Sequence, residues 1–380
     1  MAIQIRKLMC LPVFCCIKLQ KVTNNDNFKF MEAECIEKTI KTNNWSFFLP
    51  IMVWSVILFV LVLLSLCVGR YPISVKELFS WLYSAITDWQ SVKDAQLSYV
   101  FINLRLPRII TAVITGAALA AAGAAYQGIF SNPMVSPDIL GASTGAGFGA
   151  AVGILLTLPA FGIQISAFVF GLVAVGLSVF ITASVGKVYN VVLVLVLSGM
   201  IVSSMFGSFV AVVKYVADPF KQLPEITFWL MGSLSSIDTK AMTFVIPTVL
   251  FGIILLYCIR WRINIMTFGD EEARALGVNT TAVRLIVIAA ATLITSSVVS
   301  LCGQIAWVGL IIPHLSRMIV GPDYNRLLPL SILMGGTYLL AVDDLARTMM
   351  QTEIPLGILT SLIGAPFFIF LLLRTGKRRA

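Results

Sequence analysis

Long apolar runs alternate with short polar segments along most of the chain. Apolar windows, together with the glycine and proline residues that break them, predict membrane-spanning helices, because about 20 apolar residues cross a bilayer. The run at 304–320, which Pro313 interrupts, is the least regular. The ten predicted spans are residues 46–68, 109–129, 139–158, 164–185, 191–213, 241–260, 283–302, 304–320, 328–345 and 357–373.

The composition agrees with this pattern. Of the 380 residues, 58% are hydrophobic and 12% are charged, and the mean hydropathy is +0.94. The apolar share exceeds the roughly 45–50% of a soluble domain, which excludes a single water-soluble globule. The net charge is +9, and the basic residues lie at the ends of apolar runs and not on one polar face. This distribution argues against nucleic-acid binding. The predicted fold class is therefore an all-α polytopic membrane protein.

Basic residues set the predicted orientation. They cluster in the first 44 residues, in the segment after residue 260 and at the carboxyl end. By the positive-inside rule these regions share the cytoplasmic side. Residues 1–44 are predicted to be a cytoplasmic N-terminal tail, and residues 377–380 a basic cytoplasmic C-terminus. Met31 offers a later start, in which case the preceding residues are a non-native extension.

Two longer segments are predicted on the outer side of the membrane. Residues 69–108 carry Trp81 among apolar side chains, which favours an amphipathic helix lying in the membrane interface. Residues 214–240 favour a second short interfacial helix.

Three arginines stand at the outer ends of predicted spans. Arg105 and Arg108 precede the span at 109–129, and Arg347 follows the span at 328–345. A guanidinium group suits bidentate recognition of a carboxylate on a partner, and it also suits anchoring to lipid headgroups. The residues alone leave both interpretations open.

The energy source for any transport is predicted to lie outside this chain. Ion-coupled transporters keep ionisable groups inside the membrane, whereas Asp138 is the only charged residue at 109–185. Asp343, Asp344 and Glu353 are predicted to lie at the outer surface. The chain has no Walker A loop, and its cysteines show no metal-ligand spacing with the single histidine. A passive channel would need a selectivity filter, which is not evident.

Two local patterns indicate contact surfaces. The segment 269–277 has an acidic first turn and a terminal glycine, which predict a short helix. This helix either fits a groove on another protein, with Ala273 and Leu276 supplying an apolar contact, or it is a solvated connector. In the span at 109–129 small residues recur four apart, which predicts close helix packing or a pore lining.

An ordered set of motifs runs through the chain. They are Arg105-Leu106-Pro107-Arg108, Gly116 to Gly123 with Gln127, Asn132-Pro133 to Pro137 with Leu140-Gly141, the Gly269 to Gly277 loop, Val308-Gly309-Leu310 with Pro313-His314 and Arg317, Leu327-Leu328-Pro329, Asp343 with Ala346-Arg347, Glu353-Ile354-Pro355 with Gly357, and Gly364-Ala365-Pro366-Phe367-Phe368. Each motif is weak alone, and together they are specific. Over about residues 50–376 the chain resembles the FecCD-type membrane subunits of ABC importers for iron chelates, haem and vitamin B12.

The resemblance implies the type II ABC importer fold of the vitamin B12 importer, with a ten-helix permease domain at 45–376. It implies a homodimer that works with two cytoplasmic ATPase subunits, which use ATP and Mg²⁺, and with an extracytoplasmic substrate-binding protein. Neither a cofactor bound by this chain nor a catalytic residue is expected. The implied location is the cytoplasmic membrane of a bacterium or archaeon, with both termini cytoplasmic.

The resemblance also implies roles for three groups of residues. The coupling loop, within 263–282, docks in the ATPase, and the outer arginines face acidic residues of the binding protein. The helix at 191–213 lines the translocation pathway. The residues concerned are Gly269, Asp270, Glu271, Glu272, Ala273, Arg274, Leu276 and Gly277 for coupling, Arg105, Arg108 and Arg347 for docking, and Ser198, Met200, Ser203, Ser204, Met205 and Ser208 for the pathway.

The implied cargo is a metal chelate. A ferric siderophore or a related iron complex is the first expectation, because iron complexes are the commonest cargo of the family. Vitamin B12, haem and molybdate or tungstate are alternatives that the residues do not separate. An ion-coupled secondary transporter is less favoured.

Overall fold

The computed structural model describes residues 48–376 apart from 70, 72, 88–89, 91–95, 186–189, 236, 238 and 351. The chain divides into a unit of residues 1–49 and a unit of residues 50–380. The predicted tail at 1–44 and the C-terminus at 377–380 lie outside the described residues. Every regular element among the described residues is helical, as the predicted all-α class requires.

The described helices account for the ten predicted spans. Seven of them, α1, α3, α5, α6, α8, α10 and α12, are long and apolar enough to cross a membrane, and α4, α11 and α13 are further apolar helices. Helices appear as α2 and α7 where interfacial helices were predicted. In chain order they are α1 (Phe48–Cys67), α2 (Val75–Thr87), α3 (Gln96–Ile129), α4 (Ala142–Leu155), α5 (Ala160–Val185), α6 (Val191–Val216), α7 (Gln222–Leu230), α8 (Thr239–Met266), α9 (Asp270–Ala275), α10 (Thr280–Cys302), α11 (Val308–Val320), α12 (Tyr324–Thr348) and α13 (Leu356–Gly376).

Helix α3 begins well before the predicted span. The sequence pattern placed its start at residue 109, whereas the helix begins at Gln96 and contains a π-helical turn, Val100–Arg105. Pro107 has no N–H and cannot donate to the preceding turn, so the backbone hydrogen bonds change spacing there while the helix continues. The arginines predicted to precede this span therefore lie within the helix.

Two other spans are shorter than predicted. The predicted spans at 139–158 and 304–320 correspond to α4 and α11, which have 14 and 13 residues. Gly141 has a φ of 88° and Trp307 a φ of 71°, and these residues immediately precede the two helices. A left-handed backbone conformation does not continue a right-handed helix, so both helices start at this point.

Helix α3 lies at the centre of the bundle. In its most apolar stretch 83% of the residues are buried, compared with 6% in α1. A Cβ atom on Gly116 would lie 2.1 Å from the carbonyl oxygen of Gly335 in α12, and one on Gly123 would lie 1.8 Å from that of Gly309 in α11. Only glycine permits such an approach of two backbones, which confirms close packing as the role of these small residues.

The two ends of the bundle carry different polar groups. At one end the start of α3 meets the ends of α1 and α12, where Arg347 donates to the carbonyl oxygen of Ser65; we call this the arginine end. At the other end α3 and α8 finish close together, and Ser131 Oγ donates to the carbonyl oxygen of Met266 at 3.3 Å. We call this the loop end, because α9 follows α8 there.

Candidate functional site

Arg108 lies at the centre of an ionic cluster at the arginine end. Its Nε donates to both carboxylate oxygens of Asp343 at 3.0 Å, and its Nη2 donates to Oδ1 at 2.8 Å. Its Nη1 donates to Glu353 Oε1 at 3.0 Å. The bidentate pair between Arg108 and Asp343 joins α3 to α12, and the low dielectric of the interior strengthens it.

The other two arginines complete the cluster. Arg347 pairs with Asp344 and donates to the carbonyl oxygen of Ser65, at 3.2 Å, at the end of α1. Ser65 Oγ donates to Asp344 Oδ1 at 2.7 Å. Arg105 donates to backbone carbonyl oxygens at the end of α1 and in the following turn. These contacts fasten the end of α1 to α3 and α12.

The predicted surface position of the three carboxylates is wrong. The side chain of Asp343 is completely buried, and those of Asp344 and Glu353 are 15% and 19% exposed. The reason is a tertiary contact, since the partner Arg108 is 235 residues away from Asp343 in the chain. A buried carboxylate, which an ion-coupled transporter would need, is therefore present. It is compensated, because three arginines and three carboxylates in the cluster leave no formal net charge.

The three arginines predicted to dock a partner point into the protein. The side chains of Arg105, Arg108 and Arg347 are 5%, 13% and 6% exposed. Because these guanidinium groups are buried, an external carboxylate could reach them only after the surrounding residues rearrange. Their contacts give them a structural role at this end, and their docking role stays a prediction.

The short helix predicted in the coupling loop is present as α9. Gly269 and Gly277 flank it, with φ of 115° and 80°, where glycine is favoured. Asp270 accepts a hydrogen bond of 2.7 Å from Arg284 Nη2, and Arg274 Nε donates to a hydroxyl in the first turn of α10. Both contacts hold α9 against the start of α10.

Helix α9 presents acidic and apolar side chains to the outside of the subunit. Glu271 and Glu272 are exposed, and Leu276 is 63% exposed. Ala273 is fully buried in the main core, so the predicted pairing of Ala273 with Leu276 in one contact surface is wrong. Phe268, just before α9, is 68% exposed. Phe268 was not among the predicted contact residues, although an aromatic residue in a loop beside an acidic helix is a signal for a contact site.

The six pathway candidates on α6 do not share one face. Met200, Ser204 and Ser208 are four residues apart and exposed, so they form one stripe along the helix. Ser198 is buried, and its hydroxyl accepts a hydrogen bond from a threonine of α5. It therefore lies away from the exposed stripe. The half-buried candidates are Ser203 and Met205.

A cavity of about 550 Å³ lies between the end of α7, the turn that precedes α11 and the start of α13. Its polar side chains are those of Gln304 and Ser361, and Gln304 Nε2 donates to the carbonyl oxygen of Ser143 at 2.9 Å. The cavity is thus mostly apolar, with a carboxamide and a hydroxyl available for hydrogen bonds.

Among the residues that the structure describes, no group of three or more His, Cys, Asp or Glu side chains is arranged to hold a metal ion.

Comparison with known proteins identifies the family. The FecCD transport family model matches residues 57–374. The molybdate import system permease protein MolB of Haemophilus influenzae is 39% identical over 315 residues, or 83% of this chain and 92% of that protein. An iron chelatin transport system permease protein of Helicobacter pylori is 38% identical over 281 residues, or 74% of this chain and 84% of that protein.

A solved structure supports the same assignment. A chain of an inward-facing ABC transporter of the metal-chelate type matches with a TM-score of 0.74 and 36% identity, and the match covers 85% of this chain and 98% of that chain. The sequence match, the apolar helices and the shared fold all indicate the same family. The chain therefore belongs to the FecCD transport family, as a multi-pass membrane permease of the ABC importer class.

Proposed function

We propose that this chain is the membrane-spanning subunit of an ATP-driven importer for an iron chelate, such as a ferric siderophore. The observation that carries the ATP-driven part is the geometry of α9. The helix is fixed to the bundle by Asp270 and Arg284. It exposes Glu271 and Glu272 beside that anchor, and Phe268 and Leu276, which flank the helix, are also exposed. An element that is rigidly held and exposed at its tip can transmit a push or pull from a bound partner to α10.

The proposed assembly contains two copies of this chain, two ATPase subunits that hydrolyse MgATP at the cytoplasmic side, and an extracytoplasmic binding protein. The exposed Met200 of α6 and the exposed Ile358 and Leu362 of α13, which are 45% and 70% exposed, offer apolar surface for a second copy. In this assembly the loop end is cytoplasmic and the arginine end is outside. Helix α1 ends and α13 begins at the arginine end, so the start of α1 and the end of α13 lie toward the loop end. This direction supports the proposed orientation, because both termini are predicted to be cytoplasmic.

In the proposed mechanism the two faces of the dimer open alternately. ATP binding draws the two ATPase subunits together and moves the two copies of α9, and the fixed contacts of α9 pass that movement to α10. Serine hydroxyls on the exposed stripe of α6 and the Gln304 and Ser361 side chains of the cavity then offer hydrogen bonds to the passing cargo. The pathway does not need a site that binds the cargo tightly, since the cargo must also leave the pathway.

Docking of the binding protein at the arginine end belongs to the same proposal. Acidic residues of a docked protein would compete with Asp343, Asp344 and Glu353 for the arginines. Docking would then loosen contacts between α1, α3 and α12, which provides a physical route from the outer face to the bundle. An exchange of partners costs less than exposing an unpaired buried charge.

The coupling part of the proposal is tested by reversing the charge of α9. The double variant Glu271→Lys/Glu272→Lys should fold normally, because both side chains are exposed. The factor by which the binding protein stimulates ATP hydrolysis should fall roughly tenfold in this variant. Glu225→Lys, an exposed acid in α7, is the matched control and should retain stimulation. If the double variant is stimulated as strongly as Glu225→Lys, the role given to these acids is wrong.

Molybdate is a second candidate cargo, favoured by the 39% identity to the molybdate permease of H. influenzae. The test is the content of iron, molybdenum, tungsten and cobalt in cells with and without the gene, measured by elemental mass spectrometry under limitation of each metal. The iron proposal predicts a selective loss of iron. A selective loss of molybdenum or tungsten would contradict it and favour the oxyanion, while leaving ATP-driven import intact.

A further inference from the structure

A second exposed loop lies beside the coupling loop at the loop end. It connects α3 to the turn before α4, and its tip is Ser131 to Met134; we call these four residues the tip loop. All four are exposed, and Met134 is 54% exposed. Ser131 Oγ donates to the carbonyl oxygen of Met266 at 3.3 Å, three residues before Gly269. A direct hydrogen bond therefore joins the tip loop to the end of α8, just before the coupling residues begin at Gly269.

The tip loop is held in one conformation by contacts below it. Asn132 Oδ1 accepts a hydrogen bond from the Met134 backbone N–H at 2.9 Å, which closes an Asx turn. On the far side of the tip, Val135 is buried, and its carbonyl oxygen accepts from Gln127 Nε2 at 3.4 Å. Arg317 Nη2 donates to Gln127 Oε1 at 3.0 Å. A buried network thus supports an exposed and ordered tip.

The exposed apolar side chains of the two loops lie within reach of one partner. A residue spans at most about 3.6 Å of chain, so Met134 lies within roughly 11 Å of Ser131 along the backbone. Phe268 lies within roughly 7 Å of Met266 by the same limit. The hydrogen bond between Ser131 and Met266 therefore places an exposed methionine and an exposed phenylalanine on neighbouring parts of one end of the bundle.

A protein partner fits this surface better than a lipid headgroup does. The tip loop contains no lysine or arginine, the residues that hold a segment to anionic lipid. The adjacent α9 exposes Glu271 and Glu272 together with Arg274, and this acidic excess repels anionic headgroups. Methionine and aromatic residues are enriched at protein interfaces, which have a polar rim.

We propose that the tip loop is a second contact for the ATPase subunit, next to the coupling loop. The inference rests on the proposed function, since it assumes that an ATPase binds α9. It assigns to the Asn132-Pro133 motif a role that the coupling loop does not explain. The ATPase would then hold α3 and α8 together at their ends, so that a movement of the partner reaches the central helix directly.

Site-specific photo-crosslinking in the intact transporter tests the inference. The photoreactive residue benzoylphenylalanine replaces Met134, and in separate variants it replaces Leu276 and Met349. Leu276 lies in the coupling loop and serves as the positive control, and Met349, 61% exposed at the end of α12, is the matched negative control. We expect crosslinks to the ATPase from positions 134 and 276 and none from position 349.

The outcomes separate the inference from the function on which it rests. A crosslink from 276 without one from 134 overturns the inference and leaves the proposed function standing, and a lipid adduct at 134 overturns it in favour of a membrane contact. Absence of crosslinks from both positions contradicts the proposed function as well. As a second measurement, Met134→Glu should weaken recovery of the ATPase by roughly tenfold relative to Met134→Leu, and equal recovery from the two variants overturns the inference.

Discussion

At the scale of single residues, Asp343 determines the architecture of the arginine end. Its carboxylate is completely buried and accepts hydrogen bonds from Nε and Nη2 of Arg108. Arg347 Nε lies 3.7 Å from Oδ2 of the same carboxylate. Removing one partner of a buried ion pair leaves the other charge uncompensated, which costs about 3–5 kcal/mol. Removal of any one member of the cluster should therefore destabilise the protein more than removal of one partner of a surface ion pair.

Replacement of this carboxylate is the first prediction. Asp343→Asn should lower the melting temperature of the detergent-solubilised protein clearly, because Arg108 loses its charged partner. Asp218→Asn is the matched control: its exposed side chain caps backbone N–H groups of the following residues, and asparagine preserves that cap. Fluorescence-detected size-exclusion chromatography after heating measures both variants. Equal thermal stability of Asp343→Asn and Asp218→Asn would contradict the structural role of the cluster.

The residues of the arginine end were only half predictable from the sequence. The charge pattern identified Arg105, Arg108 and Arg347, because arginine at the end of an apolar run stands out. Their carboxylate partners were expected at the surface, since no local pattern shows that Asp343 meets a residue 235 positions earlier. The one local signal was the spacing of four residues between Asp343 and Arg347, which permits a contact within a helix.

At the scale of elements, the packing of α3 depends on glycines that cannot be replaced. The backbones of α3 and α11 touch at Gly123 and Gly309, and those of α3 and α12 touch at Gly116 and Gly335. In a membrane, association of helices relies on such close packing, because lipid tails are as apolar as the side chains. Larger residues at these crossings would separate the central helix from its neighbours.

Adding one methyl group at a crossing is the second prediction. Gly123→Ala should abolish the monodisperse folded protein, because the new Cβ would lie 1.8 Å from a backbone oxygen that has no room to move. Gly176→Ala, in α5, is the control, since no atom lies within 4 Å of its added Cβ and alanine is the better helix former. Chromatographic profiles of the two variants that superimpose would show that the crossing tolerates the methyl group.

Hydrophobic periodicity predicted where helices exist better than where they begin. Each of the ten predicted apolar runs corresponds to an apolar helix among the described residues, because a chain that crosses a bilayer must satisfy its backbone hydrogen bonds within the helix. The start of α3 was missed because the apolar run begins at residue 109, after Arg105 and Arg108. The starts of α4 and α11 were missed because a positive φ at Gly141 and at Trp307 is a property of the backbone that hydropathy does not report.

At the scale of the whole molecule, the two ends of the bundle have different tasks in the proposed importer. The arginine end is closed by internal ion pairs, and the loop end exposes acidic and apolar side chains. Family motifs predicted this division more completely than composition did. They singled out the coupling loop, whose short helix the fold contains, but not the exposed Phe268 beside it, because that residue belongs to none of the motifs considered.

Opposite exposure of the two ends is the third prediction. A cysteine at Ile86 in α2, where the side chain is 85% exposed, should react in intact cells with a thiol reagent that cannot cross the membrane. A cysteine at Phe268 should react only after the cells are permeabilised. Labelling is compared with the unmodified chain, which contains seven cysteines. Equal labelling of both positions in intact cells would contradict the assigned orientation.

In the proposed importer a separate ATPase drives this chain. The most direct measurement is affinity purification of a tagged copy from its native membrane in mild detergent, followed by quantitative mass spectrometry of the bound proteins and an assay of MgATP hydrolysis. We predict an ATPase subunit in about equal amount and hydrolysis that copurifies with it. Reproducible recovery of the folded protein without an ATPase subunit would contradict an ATP-driven importer.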